Sequence, residues 1–381
     1  MNKVKTHTNH YPNRRGNKKL EQYHELVKNI IEDAVYRPNR TGVDTLATFS
    51  QHYKIDLQKG FPLLTTKDLS GYRWDSLIHE LLWYFSGEEH IKNLREHTKI
   101  WDAWADDEGL LPTAYGRFWR RYPIPEDQDL LEGEWWPTNQ EEWIQKAENH
   151  YDLNEKEINE GISRWINEEE DERKTFDQIQ YVIDTLNGDH PYRSKNSRRL
   201  VINAWHPANA AVSKLPPCHF TWVLVAQDGK LNTHLTQRSG DTALGIPFNI
   251  AAYSIITKMI AKQTDLEPGT FSHTITDSHI YCGKGERGEW YEDNLEELKR
   301  RMEEAEEKEE YLEIKEWIEE KAPEQEKPYD HIPGLLEQIS RETRERPELE
   351  IPDKKIEDME YEDFQLKDYN PHPGIKFSVA E

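Results

Sequence analysis

The alternation of apolar and polar positions along the chain predicts a mixture of helices and strands. Apolar residues recur at helical spacing in several stretches, at 20–34, 75–85, 176–187 and 250–263. Other stretches have the pattern of strands, at 46–55, 200–205, 220–226 and 231–237. Asp228-Gly229 separates the last two of these and is typical of a hairpin turn. Because helices and strands do not alternate strictly, the pattern predicts an α+β or mixed-sheet α/β fold rather than a doubly wound parallel one.

The negative charge of the chain is concentrated in two stretches. Of the 381 residues, 73 are Asp or Glu and 49 are Lys or Arg, which gives a net charge of −24. The stretch 126–172 holds 17 acidic and 3 basic residues, and 284–327 holds 18 and 9. We interpret both as charged, largely helical insertions with a solvated face, and adaptation to a salty cytoplasm is the alternative. The rest of the chain is nearly neutral, so the substrate can still be an anion.

The organisation that we predict is a single catalytic domain, 18–381, preceded by a flexible basic tail at 1–17. The domain carries insertions at about 126–172 and 284–330. Two cysteines exclude a disulfide-stapled scaffold and a zinc site built from four cysteines. The sequence has no apolar run long enough to cross a membrane and no secretory signal, so we expect a cytoplasmic protein. The acidic balance disfavours DNA as a partner.

Cys218 is the candidate nucleophile. It follows Pro216-Pro217, and these prolines fix the backbone just before the thiol. A lone cysteine is usually an inert buried residue, and we interpret Cys282 in that way. Cys218 would differ only where cationic groups lower the pKa of its thiol, because the thiolate is the attacking form. Cations that could do so, and that fit phosphate oxygens, lie in loops and at strand ends: Arg40, Arg198, Arg199 and Arg238.

Several other side chains have two interpretations. Glu80 lies among large apolar residues, where desolvation would raise the pKa of its carboxyl into the range that suits proton transfer, or it forms a salt bridge at a helix edge. Trp101 and Trp104 belong to the core or form a wall for a flat ring. Asn249 offers a donor and an acceptor to a base edge, or it caps the apolar helix that follows it.

Motifs from distant parts of the chain occur together in the order found in one family. They are Arg40-Thr41-Gly42, Phe61-Pro62-Leu63-Leu64-Thr65-Thr66-Lys67, His79-Glu80-Leu81-Leu82-Trp83, Trp101-Asp102-Ala103-Trp104, Tyr115-Gly116, Ser197-Arg198-Arg199, Pro217-Cys218-His219, Gln237-Arg238-Ser239, Pro247-Phe248-Asn249-Ile250, His279-Ile280-Tyr281 and Asn370-Pro371-His372-Pro373-Gly374-Ile375-Lys376. On these motifs the sequence resembles the folate-dependent thymidylate synthases, apart from the two acidic stretches. The resemblance implies a large mixed β-sheet with surrounding helices and a homodimer formed by sheet-to-sheet packing. It also implies reductive methylation of dUMP to dTMP, with 5,10-methylenetetrahydrofolate as carbon donor and reductant and with no metal.

The resemblance further implies a role for each matching residue. The catalytic set is Cys218, which would add to C6 of the uracil ring, with Glu80, Arg238, Asn249 and Asp241. The set that binds dUMP is Arg40, Ser239, His279, Tyr281, Tyr115 and His219, joined by Arg198 and Arg199 from the other subunit. The set that binds folate is Lys67, Trp101, Trp104 and Asp241, with Lys67 near the glutamate tail. An Asn at 249 suits uracil because it would read the pyrimidine edge at O4 and N3.

Two alternative functions share parts of this pattern. A deoxyuridylate hydroxymethylase of the same family would use the same thiol and folate but would let water, not hydride, quench the methylene group. Thr276 and Glu381 depart from the residues usual in the synthases and leave room for that reaction. The other alternative is a catalytically silent homologue that binds RNA, and the nearly complete set of candidate catalytic residues argues against it.

Overall fold

The computed structural model describes residues 19–39, 42–111, 114–124, 163–169, 174–190, 193–213 and 215–379. Several predictions fall on residues outside these ranges. They are the basic tail at 1–17, most of the first acidic stretch, Arg40 and the C-terminal Glu381.

A six-stranded mixed sheet, in the order β1-β2-β9-β8-β7-β6, forms the centre of the described chain. Its strands are β1 (Val35–Arg37), β2 (Asp44–Asp56), β6 (Val201–Asn203), β7 (His219–Gln227), β8 (Lys230–Asp241) and β9 (Glu267–Gly283). The β8–β9 pair is parallel and the other neighbouring pairs are antiparallel. Two smaller sheets contain β3 (Tyr122–Pro123), β4 (Ile166–Glu168) and β5 (Lys174–Phe176), and β10 (Glu348–Glu350) with β11 (Gln365–Lys367). The predicted mixed sheet is confirmed.

Helices surround this sheet. They are α1 (Gln22–Glu32), α2 (Tyr72–Ser86), α3 (Tyr115–Arg120), α4 (Gln178–Asn187), α5 (Pro207–Val212), α6 (Gly245–Gln263), α7 (Glu286–Glu304), α8 (Lys308–Lys321) and α9 (Ile332–Ser340). Short 3₁₀ turns occur at Leu57–Lys59, Leu94–Glu96, Ser163–Trp165, Ile356–Asp358 and Tyr361–Asp363. The helix α6 packs on β8 and β9 and is buried on nearly all sides, which explains its continuous apolar sequence. None of the described helices is both long and apolar enough to cross a membrane.

The hairpin between β7 and β8 turns at Asp228 and Gly229, as the sequence predicts. Both residues have positive φ, 51° and 73°, which is the geometry of a two-residue turn of type I′. Glycine adopts this conformation without steric cost, and Asp tolerates it better than most side chains. The turn sets the register of the two strands, in which Thr221 pairs with Thr236. The start of β7 and the end of β8 therefore lie side by side. The candidate site lies at that end.

Two sequence-based expectations were wrong or incomplete. Asn249 does not cap a helix, because α6 begins at Gly245 and places Asn249 inside its second turn. The helix begins before Pro247 and includes it, because proline is tolerated in the first turn of a helix. The central strand β9, 17 residues long, was not predicted. Its buried positions change parity between Ile275 and Ser278, so no single alternation runs along it.

The second acidic stretch forms two helices, α7 and α8, that pack on the core. The residues 305–307 separate the two helices. Their apolar side chains face α1 and α9, and those with at most 3% exposure are Tyr291, Leu298, Met302, Ile314 and Ile318. A buried ion pair joins the start of α7 to Asp330. The Arg287 Nη2 lies 2.7 Å from Asp330 Oδ2, which also accepts a hydrogen bond from the Tyr291 hydroxyl at 2.7 Å.

Candidate active site

Cys218 lies immediately before β7, beside Arg238 of β8. The Arg238 N–H donates to the Cys218 carbonyl at 2.9 Å, and the Arg238 guanidinium donates to the carbonyls of Pro217 (3.0 Å) and Pro216 (2.7 Å). The Cys218 N–H donates to the Tyr115 hydroxyl at 2.8 Å. The strand β8 and the helix α3 therefore fix the backbone of the candidate nucleophile from two sides.

Cys218 is partly buried, which affects the ionisation of its thiol. Burial raises the pKa of the thiol, and the neighbouring Arg238 guanidinium lowers it by a smaller amount. The net shift is therefore opposite to the one that would make a thiolate at neutral pH. A proton has to leave Cys218 before it attacks, and Arg238 is the nearby charge that favours this step.

Glu80 lies in α2 and faces the same region. The Trp101 Nε1–H donates to its Oε1 at 2.7 Å, and so does the Tyr84 hydroxyl at 2.8 Å. Burial raises the pKa of Glu80 to about 7, and these two hydrogen bonds oppose that rise. The described partners are neutral donors rather than cations, so the salt-bridge interpretation is wrong. The carboxyl titrates where it can accept or give a proton at neutral pH.

A small cavity connects Glu80 with His219 and Asn249. Apolar and aromatic side chains complete its lining, among them Trp119 and Tyr253. It offers about 10 Å³ for the centre of a water-sized sphere, which is close to the room that one water molecule needs. Carboxyl, imidazole and amide groups supply the polar partners that such a water requires. The cavity therefore has the size and the polar lining to hold one water molecule beside Glu80.

Aromatic rings form one side of this region. The half-buried Trp101 contacts Trp104, Tyr115 and Trp83, with ring centroids 5.7, 6.1 and 6.2 Å away. Its indole also holds the Glu80 carboxyl, a contact that neither sequence-based interpretation included, and its role as a wall for a flat ring stays a prediction. Trp104 packs against the core and against Trp101.

His219 lies under these rings in a fixed orientation. Its ring stacks on Tyr115 with centroids 3.7 Å apart, and its Nδ1 lies 2.8 Å from the Tyr253 hydroxyl. Burial lowers the pKa of His219 to about 3, so the imidazole is neutral at physiological pH. Tyr84 and Tyr253 were not predicted as site residues. Each lies four residues after a predicted side chain on the same helix, Glu80 for Tyr84 and Asn249 for Tyr253, and this spacing could have identified them.

A second group of predicted residues lies where β8 ends. Asp241 Oδ1 accepts the N–H groups of Ala243 (2.9 Å) and Leu244 (3.2 Å), and no described residue hydrogen-bonds to Oδ2. Lys67 is only 4% exposed, and its Nζ donates to the Ala243 carbonyl at 2.5 Å. Burial lowers the pKa of Lys67 to about 7, opposed by the charge of Asp241. The Phe377 ring lies 4.8 Å from the Lys67 ammonium.

The predicted sugar and phosphate contacts lie partly here and partly elsewhere. In the parallel β8–β9 ladder, Ser239 pairs with Asp277 and Asp241 with His279, and Tyr281 follows along β9. Arg198 and Arg199 are exposed in the loop that precedes β6, and their guanidinium groups bond to none of the described residues. The part of the chain that the structure describes therefore gives the two guanidinium groups no visible role.

Comparison with known proteins identifies the family. The family model described as thymidylate synthase matches residues 21–381. The thymidylate synthase of Haloferax volcanii is 56% identical over 360 residues, which is 94% of this chain and 96% of that protein. The chain belongs to the thymidylate synthase family. The predicted family is thereby confirmed, and with it the prediction of an enzyme that methylates dUMP to dTMP. Neither finding favours the hydroxymethylase or the RNA-binding alternative.

The fold of the chain brings most of the predicted site residues into one region. Around the cavity and the thiol lie Cys218, Arg238, Tyr115, Glu80, Trp101, Trp104, His219 and Asn249. At the adjoining ends of β8 and β9 lie Ser239, Asp241, His279 and Tyr281, with Lys67 beneath them. Arg198 and Arg199 stand apart.

Proposed function

We propose that the protein converts dUMP to dTMP through covalent attack of Cys218 on C6 of the uracil ring, with 5,10-methylenetetrahydrofolate as carbon donor and reductant. The observation that carries this proposal is a thiol beside a guanidinium, next to a cavity that is lined by an amide and a carboxyl. His219 connects the two, because it follows Cys218 in the chain and also lines the cavity. The thiol, guanidinium, amide and carboxyl belong to Cys218, Arg238, Asn249 and Glu80. They are the chemical types that nucleophilic addition to a ring carbonyl system requires.

Each group has a separate task in this scheme. The Cys218 sulfur, after losing its proton, forms the bond to C6, and the electrons displaced from the ring collect at C5 and O4. Arg238 stabilises the thiolate and binds the 5′-phosphate. The Asn249 amide donates to O4, where the charge develops. Glu80, with a pKa of about 7, exchanges protons with the ring through a water in the cavity.

The residues at the end of β8 fit a reduced folate. When bound, 5,10-methylenetetrahydrofolate supplies the one-carbon unit and the hydride. Asp241 has one carboxylate oxygen without a described partner, which suits the N–H edge of a pterin ring. Trp101, which lies beside Glu80 and Tyr115, and its neighbour Trp104 offer flat apolar surfaces for such a ring. Lys67 is assigned to the glutamate tail by resemblance, and its present burial means that it would reach the tail only after moving.

The proposal includes a second copy of the chain. One face of the central sheet carries side chains that are half-buried or exposed, including Val201 (40%) and Val225 (47%). A second copy packed on this face would remove that apolar surface from water. Arg198 and Arg199 lie just before β6, at the edge of the same face, so a homodimer would direct them toward the phosphate site of the partner. A cytoplasmic location is part of the same proposal.

Product analysis tests the reaction. The protein is incubated with dUMP and 5,10-methylenetetrahydrofolate, the nucleotide product is weighed by mass spectrometry, and dihydrofolate is followed by absorbance. We expect dTMP and dihydrofolate in equal amounts, and Cys218→Ala should abolish both. A product one oxygen heavier than dTMP without dihydrofolate would instead establish the hydroxymethylase. Tight RNA binding without any turnover would establish the silent homologue.

Mixed dimers test the contribution of the second subunit. Cys218→Ala and the double variant Arg198→Ala/Arg199→Ala should each be inactive alone. Hybrid dimers would contain one complete site, so an equal mixture after subunit exchange should recover about a quarter of the wild-type activity. No recovery, with hybrid formation verified by native mass spectrometry, would show that these arginines do not act across the interface.

A further inference from the structure

A chain of hydrogen bonds runs through the core and ends at the Asn249 side chain. The Tyr53 hydroxyl lies 2.6 Å from His273 Nδ1, and His273 Nε2 lies 2.9 Å from Gln237 Oε1. Gln237 Nε2 lies 3.1 Å from Asn249 Oδ1 and 2.9 Å from the Ser239 carbonyl. Tyr53, His273 and Gln237 are at most 3% exposed, so water does not compete for these bonds.

The direction of every bond in this chain follows from one fixed acceptor. The Ser239 carbonyl can only accept, so the Gln237 atom beside it must be the NH₂ group. Its oxygen then faces His273, and therefore His273 must carry its proton on Nε2. The free electron pair is on Nδ1, and Tyr53 has to donate to it. A neutral imidazole is required, and burial lowers the pKa of His273 well below its ordinary value.

The far end of the chain determines how Asn249 presents its amide. Because Gln237 donates to it, the Asn249 atom on that side is the oxygen. The Asn249 NH₂ group therefore faces the other way, and no described residue accepts from it. Asn249 also lines the cavity beside Glu80. An NH₂ group in that position attracts a carbonyl oxygen and repels another NH₂ group.

We infer that the buried chain Tyr53–His273–Gln237 fixes the amide orientation of Asn249 and thereby selects a 4-oxo pyrimidine over a 4-amino one. This inference rests on the function proposed above. Tyr53 and His273 are positioning residues, since they touch no substrate atom. With the opposite orientation, the Asn249 oxygen would face the ring and favour the amino group of cytosine. Two groups oppose that reversal. The Ser239 carbonyl would lose its donor, the Gln237 NH₂ group, and the Tyr53 hydroxyl would lose its acceptor, the His273 Nδ1.

The test measures nucleotide selectivity rather than activity alone. Dissociation constants for dUMP and for dCMP are determined by calorimetry, and kcat/KM is determined for both with methylenetetrahydrofolate. Tyr53→Phe should lower the dUMP-to-dCMP preference roughly threefold to tenfold, the factor that corresponds to one lost buried hydrogen bond. His273→Leu should lower it further. His273→Gln keeps a donor and an acceptor and should restore most of the preference.

A matched control separates orientation from general loosening of the core. Ser254→Ala also removes one buried hydroxyl, from the same helix as Asn249 but outside the chain, and should leave the preference unchanged. Thermal unfolding is measured for each variant. An unchanged preference in folded Tyr53→Phe and His273→Leu would overturn the inference while the proposed reaction stands. Absence of dUMP binding and turnover in the wild type would instead overturn the proposed function.

Discussion

Replacing Glu80 by Gln is expected to stabilise the fold while removing proton transfer. Burial raises the pKa of this carboxyl from 4.5 to about 7. At 1.36 kcal/mol for each pKa unit, the difference corresponds to about 3 kcal/mol, and the partial exposure of Glu80 to solvent reduces it to about 2 kcal/mol. The folded state holds the proton more tightly than the unfolded state. Stability from this group is therefore complete below about pH 4.5 and is lost as the pH rises through 7.

Urea unfolding of both proteins at about pH 5 and about pH 8 measures this effect, with protein concentration held constant in case of dimerisation. We expect the unfolding free energy of Glu80→Gln, relative to that of the wild type, to rise by about 2 kcal/mol from about pH 5 to about pH 8. The control is Glu313→Gln, which makes the same chemical change on the exposed surface of α8. It should show no such gain. A Glu80→Gln difference that is independent of pH, or that falls with pH, would refute the argument.

Three further substitutions test how the structure holds the site together. Arg287→Met leaves Asp330 buried without its cation and should lower the unfolding free energy by about 3 kcal/mol in urea, and an unchanged value would show that the pair is not buried in solution. Gly116→Ala would place a Cβ 2.0 Å from the Tyr84 carbonyl oxygen, so α2 and α3 must separate. We expect the unfolding free energy to fall by at least about 2 kcal/mol and kcat to fall as well, and wild-type values of both would contradict this contact. Gly229→Ala puts a side chain at positive φ in the hairpin and should cost about 1 kcal/mol by thermal unfolding with little effect on KM, whereas a large rise in KM would be unexpected.

The sequence was sufficient for features that depend on local pattern or on a motif. The helix around Glu80 and the hairpin at Asp228-Gly229 follow from spacing and turn chemistry, and the structure confirms both. The strand β9 was missed because its polar Ser, Thr and His residues weaken the apolar alternation and its buried face changes along its length. The start of α6 was misjudged because Pro247 was treated as lying outside the helix.

Features of the site that depend on contacts between distant segments could not be predicted. Trp101 and Glu80 were each singled out, but only the fold shows the indole donating to the carboxyl. The shift in the pKa of Cys218 depends on how deeply the fold buries the thiol, which no spacing reveals. His273 and Tyr53 are 220 positions apart in the chain and meet only because β2 and β9 pair in register.

The second acidic stretch, which forms α7 and α8, has a consequence for how the stability of this protein depends on salt concentration. The segment 284–327 holds 18 acidic against 9 basic residues, of which Arg287 is buried, and it contributes Leu298 and Ile318 to the interior. Repulsion among its like charges pulls against the packing that covers α1 and α9, and dissolved ions weaken that repulsion. In dilute buffer, unfolding should therefore begin at α7 and α8 and spread to the core. Added salt should delay this unfolding without any change in the chemistry at the thiol.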